Sequence, residues 1–302
     1  MARTKYLIVV GGPTASGKTA LSIQLARHFQ TSILSADSRQ FYREMSIGTA
    51  KPGADELSQA PHLFIDSLRV TDDYSVGDFE REALAALEEI YREKDVAILA
   101  GGSGLFIRAL CEGLDAFPPV PAEVKEAVDR LYREHGLPAL QAQLQELDPA
   151  YYEEVDRQNP QRLMRALAVC RASGRPYSEF RRSGIKPRSF QPIYVLLELD
   201  RKTLYERIDR RVDEMVRAGL IDEARALYPL RRHNALQTVG YQELFDHFEG
   251  KYTLEEAIEL IKRNSRRYAK RQMTWFRKDA HWRAFAPGET EAVIDYLEGQ
   301  MQ

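Results

Sequence analysis

Apolar residues in this chain fall into two patterns. Tyr6-Leu7-Ile8-Val9-Val10, Ser32-Ile33-Leu34-Ser35-Ala36 and Val96-Ala97-Ile98-Leu99-Ala100 are short, nearly unbroken runs of strand length. Runs of that kind mark strands covered on both faces. His62 to Asp66 predicts a further strand, and Ile193 to Leu199 predicts the last one. Between the runs, apolar residues recur at helical spacing. Leu21, Leu25 and Phe29 share a face of a helix over Ala20 to Phe29, and Phe79, Ala83, Leu87 and Ile90 do so from Ser75 to about Tyr91. Ser75 and Asp78 have the spacing of a capping box for that second helix. From Ala122 to His135, Leu137 to Leu147 and Pro160 to Ala172 the pattern is helical, with no strand among them. Further helices are expected from Asp200 to Arg217, from Leu254 to Lys278 and from Glu289 to Leu297.

The turn after the first strand carries the strongest chemical signal. Gly12-Pro13-Thr14-Ala15-Ser16-Gly17-Lys18-Thr19 fits G-x-x-x-x-G-K-[ST], and it lies between a strand and a helix as that motif requires. The loop amides and the helix N-terminus would point at an anion. Lys18 adds a positive charge for phosphate oxygens, and Thr19 offers a hydroxyl to Mg²⁺. The motif specifies a polyphosphate or diphosphate without saying which. The fold class expected is therefore α/β, with a P-loop NTPase-like parallel sheet core, a helical insertion domain and basic C-terminal helices. The core's first part covers 1–115. The stiff stretch Phe117-Pro118-Pro119-Val120-Pro121 opens an insertion over 116–190, and 191–302 completes the core.

Strand ends place the next candidates. The second strand runs into Asp37-Ser38-Arg39-Gln40, and strand C-termini in an α/β sheet meet at the ligand crevice. Asp37 is expected beside the phosphate loop, and it also suits a helix N-cap. Lys51, in the loop Ile47-Gly48-Thr49-Ala50-Lys51-Pro52, is a candidate for the same crevice. The strand from Val96 ends in Gly101-Gly102-Ser103-Gly104, without the acid that holds Mg²⁺ in typical phosphate-loop NTPases. Its glycines would let backbone approach a ligand closely. In the helix after Asp200, Arg207 shares a face with Arg210 or Arg211, and such an arginine suits a diphosphate.

Charge extends this reading. The 302 residues carry a formal net charge of −2, but the distribution is uneven. Between Arg162 and Arg188 stand eight basic residues (Arg162, Arg165, Arg171, Arg175, Arg181, Arg182, Lys186, Arg188) and one acid, Glu179. Lys262 to Lys278 holds eight more with no acid, interleaved with Tyr268, Trp275 and Phe276. Two such stretches in a slightly acidic protein point to an extended anion such as RNA. No apolar run reaches transmembrane length, so no membrane partner is expected. Two isolated cysteines, Cys111 and Cys170, and the lack of a secretion signal point to a reducing, cytoplasmic location. The six histidines show no metal-ligand spacing.

Together these stretches resemble the tRNA dimethylallyltransferases (isopentenyl-diphosphate:tRNA transferases) over nearly the whole chain. The resemblance is carried by GPTASGKT at Gly12, Asp37-Ser38 followed by Tyr42, IGTAKP at Ile47 and Gly101-Gly102. It continues through NPQRLMRAL from Asn159, VGY at Val239 and AKRQMTWFR from Ala269. It implies transfer of a dimethylallyl group from dimethylallyl diphosphate to N6 of the adenosine 3′ of the anticodon in tRNAs reading U-first codons. The phosphate loop would hold diphosphate, with Lys18 and Arg211 stabilising it as it leaves, Asp37 as general base and Thr19 on Mg²⁺. Implied tRNA contacts are Asp37, Ser38, Arg39, Gln40, Ser103, Lys125, Gln161, Arg162, Leu163, Met164 and Arg165. Gln237, Thr238, Val239, Gly240, Tyr241 and Gln242 complete that set. A monomer is expected. The chain departs from the family pattern at Ser103, Phe106, Asn159 and Ala168. A small-molecule kinase on the same loop and an RNA-binding NTPase without prenyl transfer are the alternatives. The missing acid after Ala100 speaks against the kinase.

Overall fold

The structure, a computed structural model, describes residues 3–181, 184–278 and 281–302. Arg182 of the first basic stretch lies outside the described residues. The chain forms two compact bodies: residues up to Cys111 with those from Arg188 onward, and Glu112–Pro187. The expected insertion was 116–190.

In the first body six strands form one parallel sheet in the order β3-β2-β4-β1-β5-β6. They are β1 (Tyr6–Gly11), β2 (Ile33–Ser35), β3 (His62–Leu63), β4 (Val96–Gly101), β5 (Gln191–Leu197) and β6 (Arg283–Phe285). Side chains alternate along β1. Leu7 and Val9 enter the core on one face, and Ile8 and Val10 enter the core on the other. Helices α1 (Lys18–His28) and, at the C-terminus, α12 (Thr290–Gln300) supply Leu21, Leu25, Val293 and Leu297 to the second face. The first face is covered by α3 (Val76–Glu93) and α4 (Gly104–Glu112), which supply Phe79, Leu87, Ile107 and Leu110, while the short α2 (Ala54–Leu57) buries no residue. α3 starts at the expected capping box: Ser75 accepts from the Asp78 amide, and Asp78 accepts from the Ser75 amide.

Two strands differ from expectation. β3 stops at Leu63, because Phe64 and Asp66 adopt left-handed φ values of 62° and 54° that extended pairing does not accommodate. β6 gave no apolar signal because it is a three-residue edge strand whose side chains are largely exposed.

In the helical body, α5 (Ala122–Leu147) is broken at Gly136, whose φ is 69°, so the two expected helices are seen as two segments. α6 (Pro149–Glu154), too short for a periodic pattern, and α7 (Pro160–Ser173) complete it. Its core gathers Val128, Leu140, Leu144, Leu163 and Leu167. Leu163 is fully buried, which corrects its assignment as an RNA-contacting side chain; Lys125, Gln161, Arg162 and Arg165 are exposed. Asp148 is buried, but its carboxylate accepts from the Tyr151 amide and from the amide and hydroxyl of Ser178. The basic stretch is also less free than its composition suggests. Arg175 pairs with Glu179 and Arg181 with Glu154, and in the α/β body Arg188 is buried against Glu80.

The α/β body resumes after β5 with α8 (Arg201–Arg217), α9 (Leu220–Leu227), α10 (Tyr241–Phe248) and α11 (Leu254–Phe276). Asp200 caps α8 through the Thr203 amide. Among the described residues no helix is long and apolar enough to cross a membrane.

Candidate active site

A cleft of about 750 Å³ opens at the C-terminal ends of β1, β2 and β4, where an α/β sheet presents its ligands. Its floor is the phosphate loop. Gly12 and Gly17 have φ of 152° and 96°, values that only glycine adopts without strain. Ala15 takes φ 63°, a left-handed conformation that costs a residue with a β-carbon about 1–2 kcal/mol. α1 begins at Lys18, so its N-terminal amides face the cleft. Lys18 Nζ donates to the carbonyls of Gly12 (2.9 Å) and Pro13 (2.7 Å). Ser16 Oγ is buried in the loop with no partner among the described residues.

Asp37 lies across the cleft from these groups. No helix follows it, so the N-cap reading does not hold. Instead Oδ1 accepts from the Arg39 amide (3.1 Å) in a tight turn, leaving Oδ2 without a protein donor among the described residues. α8 brings Arg207, Arg210 and Arg211 to the same cleft. Arg211 Nη1 donates to Thr14 Oγ1 at 3.2 Å. With Lys18, Arg39 and Arg271, these cations outnumber the acids that line the cleft, Asp37, Glu56 and Glu214. The surplus fits a polyanion.

Burial weakens both central cations. It lowers the Lys18 ammonium to about 8, with Asp37 opposing the shift and Arg211 adding to it. Burial also lowers the Arg211 guanidinium, again opposed by Asp37. The folded value of Lys18 lies below its ordinary 10.5, so its buried charge weakens the fold below about pH 8. That penalty fades as pH rises toward 10.5. Binding has the opposite dependence, because an anion needs the ammonium. Affinity for inorganic pyrophosphate should therefore fall about tenfold per pH unit above about 8, read by calorimetric titration. A profile flat across that range would remove Lys18 from the anion site.

The cleft walls are held by residues that the sequence did not single out. Glu223 on α9 accepts from three successive amides, Ser46, Ile47 and Gly48, at 2.8–2.9 Å, and from the Tyr241 hydroxyl at 2.7 Å. This fixes the loop that presents Gly48, Thr49 and Ala50 to the cleft. Tyr241 is thus a buried packing residue and not an exposed RNA contact, and burial and Glu223 hold its phenol protonated. Lys51 does not reach the cleft: its ammonium donates to the Tyr42 carbonyl and pairs with Asp66. Arg39 lines the cleft, but its guanidinium donates to the carbonyls of Asn234 and Ala235, tying down the segment that leads to Gln237–Gln242. Gln40 donates to the Thr49 and Ala50 carbonyls. Ser103 Oγ accepts from the Ser38 amide at 3.1 Å. The glycines after β4 serve close approach between protein groups: a Cβ on Gly101 would strike the Ala36 backbone, and one on Gly104 the Trp275 ring. Gln237, Thr238, Val239, Gly240 and Gln242 line the cleft with Ser38. On α11, Ile261, Ser265, Tyr268 and Gln272 form the facing wall at helical spacing.

A parallel sheet with a phosphate loop after its central strand, and a carboxylate near partly buried cations, is an arrangement suited to a phosphate or diphosphate. The profile of the IPP transferase family matches residues 40–279. A curated relative, the tRNA dimethylallyltransferase of Christiangramia forsetii, is 50% identical over 299 residues, covering 99% of each chain. The tRNA dimethylallyltransferase of Cytophaga hutchinsonii is 47% identical over 99% of this chain and 98% of its own. Among solved structures, the full-length tRNA isopentenylpyrophosphate transferase of Bacillus halodurans superposes with a TM-score of 0.74 at 35% identity, over 98% of this chain and 97% of its own. A eukaryotic dimethylallyltransferase acting on tRNA reaches 0.76 at 27% identity, over 90% of this chain and 70% of its own. The chain belongs to the IPP transferase family.

Proposed function

We infer that this protein transfers a dimethylallyl group from dimethylallyl diphosphate to a tRNA base, releasing diphosphate. The acceptor is N6 of the adenosine 3′ of the anticodon in tRNAs reading U-first codons. The observation that carries this reading is the single cleft in which Asp37 faces Lys18, Arg211 and the phosphate loop. The names borne by the relatives support it.

The chemistry follows from the groups present. An adenine amine is a weak nucleophile, since its lone pair is delocalised into the ring. Asp37 accepts a hydrogen bond from N6 and takes its proton as the N–C bond forms. The allylic C–O bond breaks, and its electron pair leaves with the diphosphate. Lys18, Arg211 and the loop amides stabilise that charge. During transfer the bound substrates must keep bulk water from the allylic cation, which it would otherwise capture. To bring N6 to Asp37 the target base is flipped out of its loop. Exposed Arg263, Arg267, Lys270 and Arg271 on α11 supply charge for RNA phosphates.

Mg²⁺ fits the donors available. Among the described residues no group of three or more His, Cys, Asp or Glu forms a metal cage. Mg²⁺ at a diphosphate needs only one or two protein oxygens, completed by phosphate oxygens and water. Thr19, on the cleft wall, would hold it. Bound there, the ion would neutralise charge on the leaving diphosphate. The working unit in this reading is a monomer, and a tRNA substrate supports a cytoplasmic site of action.

Position is the finest part of the reading and is tested by mass mapping of nuclease fragments from reacted tRNA. The added prenyl group should reside on one adenosine, immediately 3′ of the anticodon. Addition at another base or at scattered adenosines contradicts the assignment.

A further inference from the structure

We propose that Gln272, on the basic C-terminal helix α11, is the positioning residue that holds the phosphate loop in its binding shape; this rests on the diphosphate reading above. Gln272 is only 7% exposed, and both ends of its amide are engaged. Oε1 accepts from the Thr14 amide at 3.0 Å, and Nε2 donates to the Gly102 carbonyl at 3.0 Å. The two partners fix the orientation of the amide, since a backbone N–H only donates and a carbonyl only accepts. Glutamate would meet the Gly102 carbonyl with a second acceptor, and methionine would leave both backbone groups unpaired.

The loop needs such a fastener. Ala15, next to Thr14, is held in a left-handed conformation that it would relax from if released. A second fastener is Lys18, through its bonds to the Gly12 and Pro13 carbonyls. To engage diphosphate with more than its one spare donor, Lys18 turns from those carbonyls toward phosphate oxygens. Gln272 is bonded to backbone groups other than the Gly12 and Pro13 carbonyls that Lys18 holds, so its bonds can remain when Lys18 turns away. Thr14 also carries the restraint onward, because its hydroxyl accepts from Arg211.

The neighbouring glycine has a matching role. A Cβ on Gly102 would collide with Gln272 Nε2 and stand 3.4 Å from the Gly12 carbonyl. Gly102 is therefore small so that Gln272 can enter between the two loops. Gly102→Ala should displace Gln272 without altering any cleft charge.

The test measures inorganic pyrophosphate affinity by calorimetry and steady-state transfer in the full-length protein, for the parent, Gln272→Met, Gln272→Glu and Gly102→Ala. We expect about tenfold weaker pyrophosphate binding and a matching rise in KM for dimethylallyl diphosphate in all three variants. KM for tRNA should be unchanged. A purely structural role would instead lower the melting temperature and affect both substrates alike. Gln272→Met and Gly102→Ala variants that bind pyrophosphate as the parent does overturn the proposal. Should Gln272→Met fail to fold, Gly102→Ala decides alone. A parent that binds no pyrophosphate overturns the diphosphate reading itself, a distinguishable result.

Discussion

Asp37→Asn should slow prenyl transfer by about 10²–10⁴-fold, the range for loss of a positioned general base, with tRNA affinity nearly unchanged. The substitution separates two roles. Asparagine keeps an Oδ1 that accepts from the Arg39 amide, so the turn after β2 survives. What is lost is the ability to take a proton from an amine. Charge changes too, and it adds a second signature. Asp37 raises the affinity of Lys18 for its proton, so its removal lowers that value further below about 8. The pH above which pyrophosphate binding weakens should move down in the variant. Single-turnover rates and tRNA binding, measured side by side, check the first part. Parent-like rates would remove Asp37 as the base.

Arg211→Ala should cost about 10²–10³-fold in kcat/KM, the scale for losing one preorganised donor to a developing negative charge. Its guanidinium is partly buried, near Asp37 and bonded to Thr14 Oγ1, with no ion pair among the described residues. Burial lowers its proton affinity, so the charge is maintained there at a cost to the fold. The variant should therefore lose activity while its melting temperature holds or rises. Arg211→Lys should recover only part of the rate, since an ammonium restores charge without the planar fork. A strongly lowered melting temperature in Arg211→Ala would make this residue a structural support. Full rescue by lysine would reduce its role to charge alone.

The parts of this site that the sequence exposes are those set by local chain geometry. Strand, glycine loop and helix are contiguous, so Gly12 to Thr19 could be read without tertiary information. Asp37 was legible because a strand must end at the crevice. The supports were not legible, because they act across large separations. Glu223 reaches amides up to 177 positions away, and Gln272 meets Thr14 from 258 positions away. Neither leaves a local pattern. Tyr241 and Lys51 were misplaced for a related reason. A polar atom on a loop suggests exposure, but Tyr241 spends its hydroxyl on Glu223 and Lys51 its ammonium on Asp66. The basic stretches pointed to RNA, but how many of their charges are free was not legible, because acids distant in sequence neutralise some of them: Lys262 pairs with Asp213 and Arg266 with Asp209.

The most direct test incubates the purified protein with Mg²⁺, dimethylallyl diphosphate and unmodified tRNA. A parallel reaction contains ATP in place of the prenyl diphosphate. Nucleosides from each are weighed by mass spectrometry. Adenosine heavier by one dimethylallyl group in the first reaction alone, with one pyrophosphate released per modified tRNA, is the predicted result. Unmodified adenosine in both, with phosphate released from ATP, would contradict the account and return the phosphate loop to nucleotide chemistry.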